Sequence, residues 1–129
     1  MSEKDAFGLS RIGQIAVNVK DTNRAVAFYR DTLGMKHLFT AGTLAFFDCG
    51  GIRLMLSPPE QAEHDHLSSV LYFQVADVNK AHETLVARDV RFEGKPHIVA
   101  KLEKHDLWMA FFRDSENNLH AVMSEVAHA

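Results

Sequence analysis

The chain has one cysteine, Cys49, among its 129 residues. A lone cysteine excludes an internal disulfide and fits a reducing compartment, and its place at the end of an apolar stretch reads as a small filler rather than a nucleophile. No run approaches the roughly 18 apolar residues of a membrane span, and the opening MSEKDAFGLS has no apolar signal core, so no membrane partner and a cytoplasmic location are expected. An excess of basic residues is also missing. The 14 Lys and Arg are interspersed with 17 Asp and Glu for a net charge of −3, so the electrostatic footprint of a nucleic-acid binder is absent. There is no glycine-rich phosphate loop either, because Gly50-Gly51 does not open a helix.

What is present is ordinary for a globular protein: 47% hydrophobic and 24% charged residues, enough chain for one domain with a real core. The stretch Ile12 to Gly34 organises the reading. Ile15, Val17 and Val19 alternate as in a half-buried strand, Asp21 can cap a helix, and Ala25, Phe28, Tyr29 and Leu33 recur at helical spacing until Gly34 offers a left-handed stop. Strands are then expected over 35–40, 43–48 and 52–56, closed by Pro58-Pro59. The polar EQAEHDHLSS that follows reads as a linker. Its His64, His66, Glu60 and Glu63 form an acidic and imidazole cluster that a solvated linker explains, although such a cluster can hold a surface metal opportunistically.

The second half repeats the first. VKDTNRA at Val19 superposes on VADVNKA at Val75, an offset of 56 positions, and AFFDCGG at Ala45 matches AFFRDSENN at Ala110. Val70 to Val75 is an expected strand, Asp77 a cap, and Val78, Ala81, Leu85 and Val86 a helical stripe; strands over 91–98, 107–112 and from Leu119 onward complete the unit. The expected fold class is α+β: two tandem βαβββ modules, about 11–58 and 70–126 around a linker of about 59–69, sharing one cupped mixed sheet with the helices outside.

Two motifs, V-x-D-x-x-x-A-x-x-F-Y-x-x-x-L-G from Val19 to Gly34 and F-x-D-x-x-x-N-L from Phe112 to Leu119, make the chain resemble the vicinal oxygen chelate superfamily, which includes glyoxalases, bleomycin resistance proteins and extradiol dioxygenases. The resemblance spans Ile12 to Glu125. It implies a cup whose metal-dependent members hold a divalent ion through one residue on the first and one on the last strand of each module. Those positions fall here on Gln14, Val70, Ala121 and Leu54, or Met55 if the register is shifted by one. None is His, Asp or Glu, so no cofactor is expected, and a divalent metal only at a non-standard site. The resemblance also implies a homodimer.

A partly apolar cup remains, with Gln14, Asn18, Leu54, Val70, Tyr72, Gln74, Trp108 and Ala121 as candidate ligand-binding residues, and Ile52, Leu56, Leu119 and Met123 inside with them. The same residues could instead pack as a dry core. The first functional reading is a protein that binds a small organic molecule in this metal-free cup. The alternative is an enzyme of the lyase, epimerase or dioxygenase type, with chemistry relocated to His97, Glu103 and His105, residues suited to proton transfer or metal binding. Solvated histidines on a hairpin would account for the same pattern.

Overall fold

The computed structural model describes residues 7–59 and 67–128, so the linker cluster of Glu60, Glu63, His64 and His66 lies outside the described residues. The first module runs β1 (Gln14–Asn18), α1 (Thr22–Ala27), a π-helical turn (Phe28–Thr32), β2 (Lys36–Ala41), β3 (Leu44–Cys49) and β4 (Ile52–Ser57). The second runs β5 (Leu71–Gln74), α2 (Val78–Ala87), β6 (Arg91–Phe92), β7 (His97–Lys101), β8 (His105–Arg113) and β9 (Leu119–Ala127). Each module thus pairs its first strand in parallel with its last, and the remaining pairings are antiparallel.

The repeat deduced from the 56-residue offset is therefore a structural repeat. Both expected caps form: Asp21 accepts the N–H of Arg24, and Asp77 accepts those of Asn79 and Lys80. Three details differ from expectation. The strand expected over 91–98 is a two-residue bridge followed by a loop and a separate β7, the loop turning at Gly94 with φ of 156°. The helix after Asp21 widens near its end, where the N–H of Leu33 reaches the carbonyl of Phe28, before Gly34 at φ of 73° stops it. Instead of one shared sheet there are two, ordered β1-β4-β3-β2 and β5-β9-β8 with β6 and β7 both on β8, and no ladder joins β1 to β5 among the described residues.

The core explains this arrangement. Val17, Val19, Phe47, Leu54 and Leu56 pack one face of the first sheet against Ala25, Val26 and Tyr29, while Ala110, Phe112 and Val122 pack one face of the second against Val78 and Val90. Phe28 and Leu33 touch both clusters, so the two cores meet at the π-helical turn that follows α1. A polar hub sits there. Burial, and then the charge of Asp114, push the Tyr29 hydroxyl well above its usual pKa, so it stays protonated and donates to Asp114 Oδ2 at 2.6 Å. Its oxygen can then accept only from the Nε2–H of His120 at 2.8 Å, which assigns that tautomer to the buried imidazole.

Asp114 also accepts the backbone N–H groups of Glu116 and Asn118 and the side-chain amide of Asn118, which donates as well to the carbonyl of Asn18 in β1. Asn117, at φ of 68°, takes the left-handed position of this turn, a conformation asparagine tolerates better than most residues. Glu116 reaches the other module, accepting the N–H groups of Lys20 and Asp21 and a two-pronged bond from Arg24.

Two outcomes follow. Tyr29→Phe removes the hydroxyl but leaves the buried carboxylate in place, and should cost about 2 kcal/mol, read as a lower urea midpoint with an unchanged slope. Burial opposes the charge of Glu116, but the Arg24 guanidinium and the N–H groups of Asp21 and Lys20 outweigh it and hold the carboxyl at about 2, against an ordinary 4.5. Between these values the unfolded chain binds more protons than the folded one, so this stabilisation is complete above pH 4.5 and is lost as pH falls through about 2. Urea midpoints followed across the acid range should decline less steeply for Glu116→Gln than for the parent.

Candidate functional site

The two faces of each sheet have different fates. One is sealed by helices. The other is open and carries most of the residues singled out above. On the first sheet the pairings Lys36↔Asp48↔Arg53↔Gln14 put a polar row across four strands, and Phe39↔Phe46↔Met55↔Ala16 put an apolar row beside it. Opposed residues share a face, so these rows lie side by side on it, with Phe46 covered by its neighbours.

Arg53 is the centre of this surface. Its Nε–H donates to Gln14 Oε1 at 2.7 Å, and its guanidinium carbon stands 5.1 Å from the centroid of the Phe46 ring. The Gln14 amide nitrogen in turn lies 3.8 Å from the Met55 sulfur. Phe46 stacks on Phe39 at 4.6 Å, and Phe39 is itself 48% exposed. The cation therefore has a fixed orientation, with no ion pair among the described residues, and the rest of its planar donor fork stays open.

The open face of the second sheet holds Tyr72, which is 49% exposed and meets Phe111 edge-on at 6.2 Å. Ala121 lies between them in register, fully covered, and Gln74 is exposed next to Met123. Val70 is half-buried just before β5. Asn18, at the end of β1, is tied through its backbone to Ser68 Oγ and to the Asn118 amide.

Three sequence expectations need correction. Leu54 is 2% exposed and faces the helix-packed core with Leu56 and Ile15, and so does Ile52, which pairs with Cys49 in that register; Met55, the alternative, shares the open face with Gln14. Trp108 pairs with Ile98 and Ser124 on the helix side and packs against the second core cluster rather than on the open face. His97, Glu103 and His105 are not one cluster. His97 pairs with Met109, four residues along β8 from His105, which places the two imidazoles roughly 13 Å apart. His97 instead bonds the Lys95 carbonyl, Glu103 is exposed at the hairpin tip, and no group of three potential metal-binding side chains occurs among the described residues.

Sequence reasoning missed Arg53, Phe46 and Phe39. The signal was there: in Ile52-Arg53-Leu54-Met55-Leu56 the charged residue marks the parity that leaves the core. The divalent site of the resembling family does not fit these residues. Of the four matched positions only Gln14 offers a hard oxygen, and that oxygen already accepts from a guanidinium. Cys49 is no better as a reactive group, since burial and then the nearby Asp48 raise its thiol pKa.

Tandem βαβββ modules with one helix-packed and one open sheet face define the class of the fold. Comparison with known proteins gives the family: residues 11–122 match the Glyoxalase/Bleomycin resistance protein/Dioxygenase superfamily, and the chain belongs to it. The Bacillus subtilis (strain 168) protein YraH is 30% identical over 120 residues, covering 82% of this chain and 91% of that protein. A superfamily member from Sphaerobacter thermophilus DSM 20745 has a similar structure, with a TM-score of 0.76, 19% identity and coverage of 91% of this chain and 98% of its own. Lactoylglutathione lyase from Agrobacterium tumefaciens gives 0.70 at 22% identity, covering 90% of this chain and 94% of that one. At such identities the structural likeness is one of fold. No helix among the described residues is long and apolar enough to cross a membrane.

The separation of the hairpin histidines has a measurable consequence. Elemental analysis of protein purified without chelator should give the same metal content for the parent, His97→Ala and His105→Ala; stoichiometric metal that falls with either change would mean that the hairpin holds a site.

Proposed function

We propose that this protein binds a small organic anion on its open face, holding it by hydrogen bonds and ring contact rather than through a metal. The observation that carries this reading is Arg53, a guanidinium fixed by Gln14 and Phe46 on exposed surface with its remaining donors unused. Two parallel N–H groups fit the two oxygens of a carboxylate, and the exposed Phe39 ring, stacked on the buried Phe46, gives an apolar face for the ligand's body. On the second sheet the exposed Tyr72 and Gln74 add polar tips. The matching ligand is a planar aromatic carboxylate.

An open sheet covers only one side of such a ligand. The reading therefore includes a homodimer, supported by the exposed Phe7, Leu9, Ile12, Phe39 and Tyr72. The working location is the cytoplasm, consistent with a single unpaired cysteine.

Calorimetric titration with a panel of simple benzoates should give saturable binding that weakens about tenfold or more in Arg53→Ala, while the corresponding neutral benzamides bind poorly to both. Equal benzoate affinity in parent and Arg53→Ala would overturn the proposal. Sedimentation equilibrium should return twice the chain mass, and a monomer at all concentrations would remove the dimer from it.

A further inference from the structure

The opposite, helix-packed side of the second sheet is incompletely filled. Between α2 and the end of the π-helical turn lies a cavity of about 330 Å³, within the small-molecule range, with Phe73, Phe112 and Val122 as its floor and Leu33 in the facing wall. Its origin is Ala81. The stripe of α2 that faces the sheet is Val78, Ala81 and Leu85, and the small member in the middle leaves room that a larger side chain would occupy. None of the sheet residues lining this space lines the open face, because they have the opposite parity to Tyr72 and Ala121.

The rim is cationic. Lys80, Thr84 and Arg88 follow one another at helical spacing along the mouth, and no acidic side chain lines the cavity. Lys80 and Arg88 mark its two ends, roughly 12 Å apart along the helix axis. They are not equivalent. Arg88 donates to the Thr32 carbonyl at 2.9 Å and so ties α2 to the end of the π turn. Lys80 has no hydrogen bond or ion pair of its side chain among the described residues, leaving one free ammonium beside an apolar hollow.

We propose that this groove is a second binding site, for a small monocarboxylic acid with a flexible apolar tail. The carboxylate pairs with Lys80, and the tail lies over Phe73, Phe112 and Val122 beneath Ala81. One free point charge matches one carboxylate, and a cavity without internal polar partners matches a tail that asks for none.

Octanoate is a suitable probe and 1-octanol its neutral counterpart. Titration calorimetry on the full chain should show one-to-one octanoate binding that weakens about tenfold in Lys80→Gln and stays unchanged in Arg53→Ala, whereas octanol binds the parent and Lys80→Gln alike. Ala81→Leu, which fills the hollow, should lose octanoate binding with its circular dichroism retained. Absence of saturable octanoate binding, or a Lys80→Gln protein that binds it like the parent, overturns the proposal. Because the Arg53 site is read by its own variant and by benzoates, failure of one site leaves the other standing.

Discussion

The two modules are joined through two neighbouring buried carboxylates, Glu116 and, at the centre of the hub, Asp114. Burial alone would raise the pKa of Asp114, yet the His120 imidazole 3.7 Å away and the hydrogen bonds from Tyr29 and Asn118 reverse that effect and hold the carboxyl below its usual range, so it stays charged inside the protein. An unpaired charge there would be strongly destabilising, and this makes its partners obligatory rather than decorative. They come from three directions: Tyr29 from the π turn, His120 from β9, and Asn118 from the turn that Asp114 itself begins. Through Asn118 the hub fixes the end of β1, and through the neighbouring Glu116 it fixes the start of α1. The position of β1 sets that of Gln14, and Gln14 orients Arg53.

That chain of constraints explains why the widened turn matters. A regular helix continued past Ala27 would change the direction in which Phe28, Tyr29 and Leu33 leave it. With the bonds from Leu33 to Phe28 and from Met35 to Tyr29, Tyr29 reaches Asp114 while Phe28 and Leu33 contact both cores. The apolar packing and the polar hub therefore depend on the same turn.

The architecture was legible in the sequence because its signals are local and repeated: two aspartate caps, an apolar stripe after each, and a 56-residue offset that aligns them. The candidate site was less legible, and the reason is one of parity. A strand between helices and open space offers two faces, and the more apolar face belongs to the helix-packed core. Ile52, Leu54 and Leu56 follow that rule, so placing them in the binding cup reversed the strand and hid Arg53. On β9 the rule gives no help. There the core parity is His120, Val122 and Ser124, no more apolar than Ala121 and Met123, because the buried imidazole is in that position for its bond to Tyr29. The F-x-D-x-x-x-N motif identified the family without disclosing this role, since the partners of Asp114 lie up to 85 positions away along the chain.

The same parity argument bears on how this chain differs from relatives that chelate a metal. A divalent ion grips two neighbouring oxygens of a ligand as a Lewis acid and needs several anionic or imidazole donors behind it. A guanidinium also presents two parallel contacts to neighbouring oxygens, but it brings its own charge and needs only to be held flat. Gln14 and the Phe46 ring suffice for that, one by a hydrogen bond and the other by its π face. With a neutral glutamine as its hydrogen-bond partner, the guanidinium is held in place while forming no ion pair among the described residues.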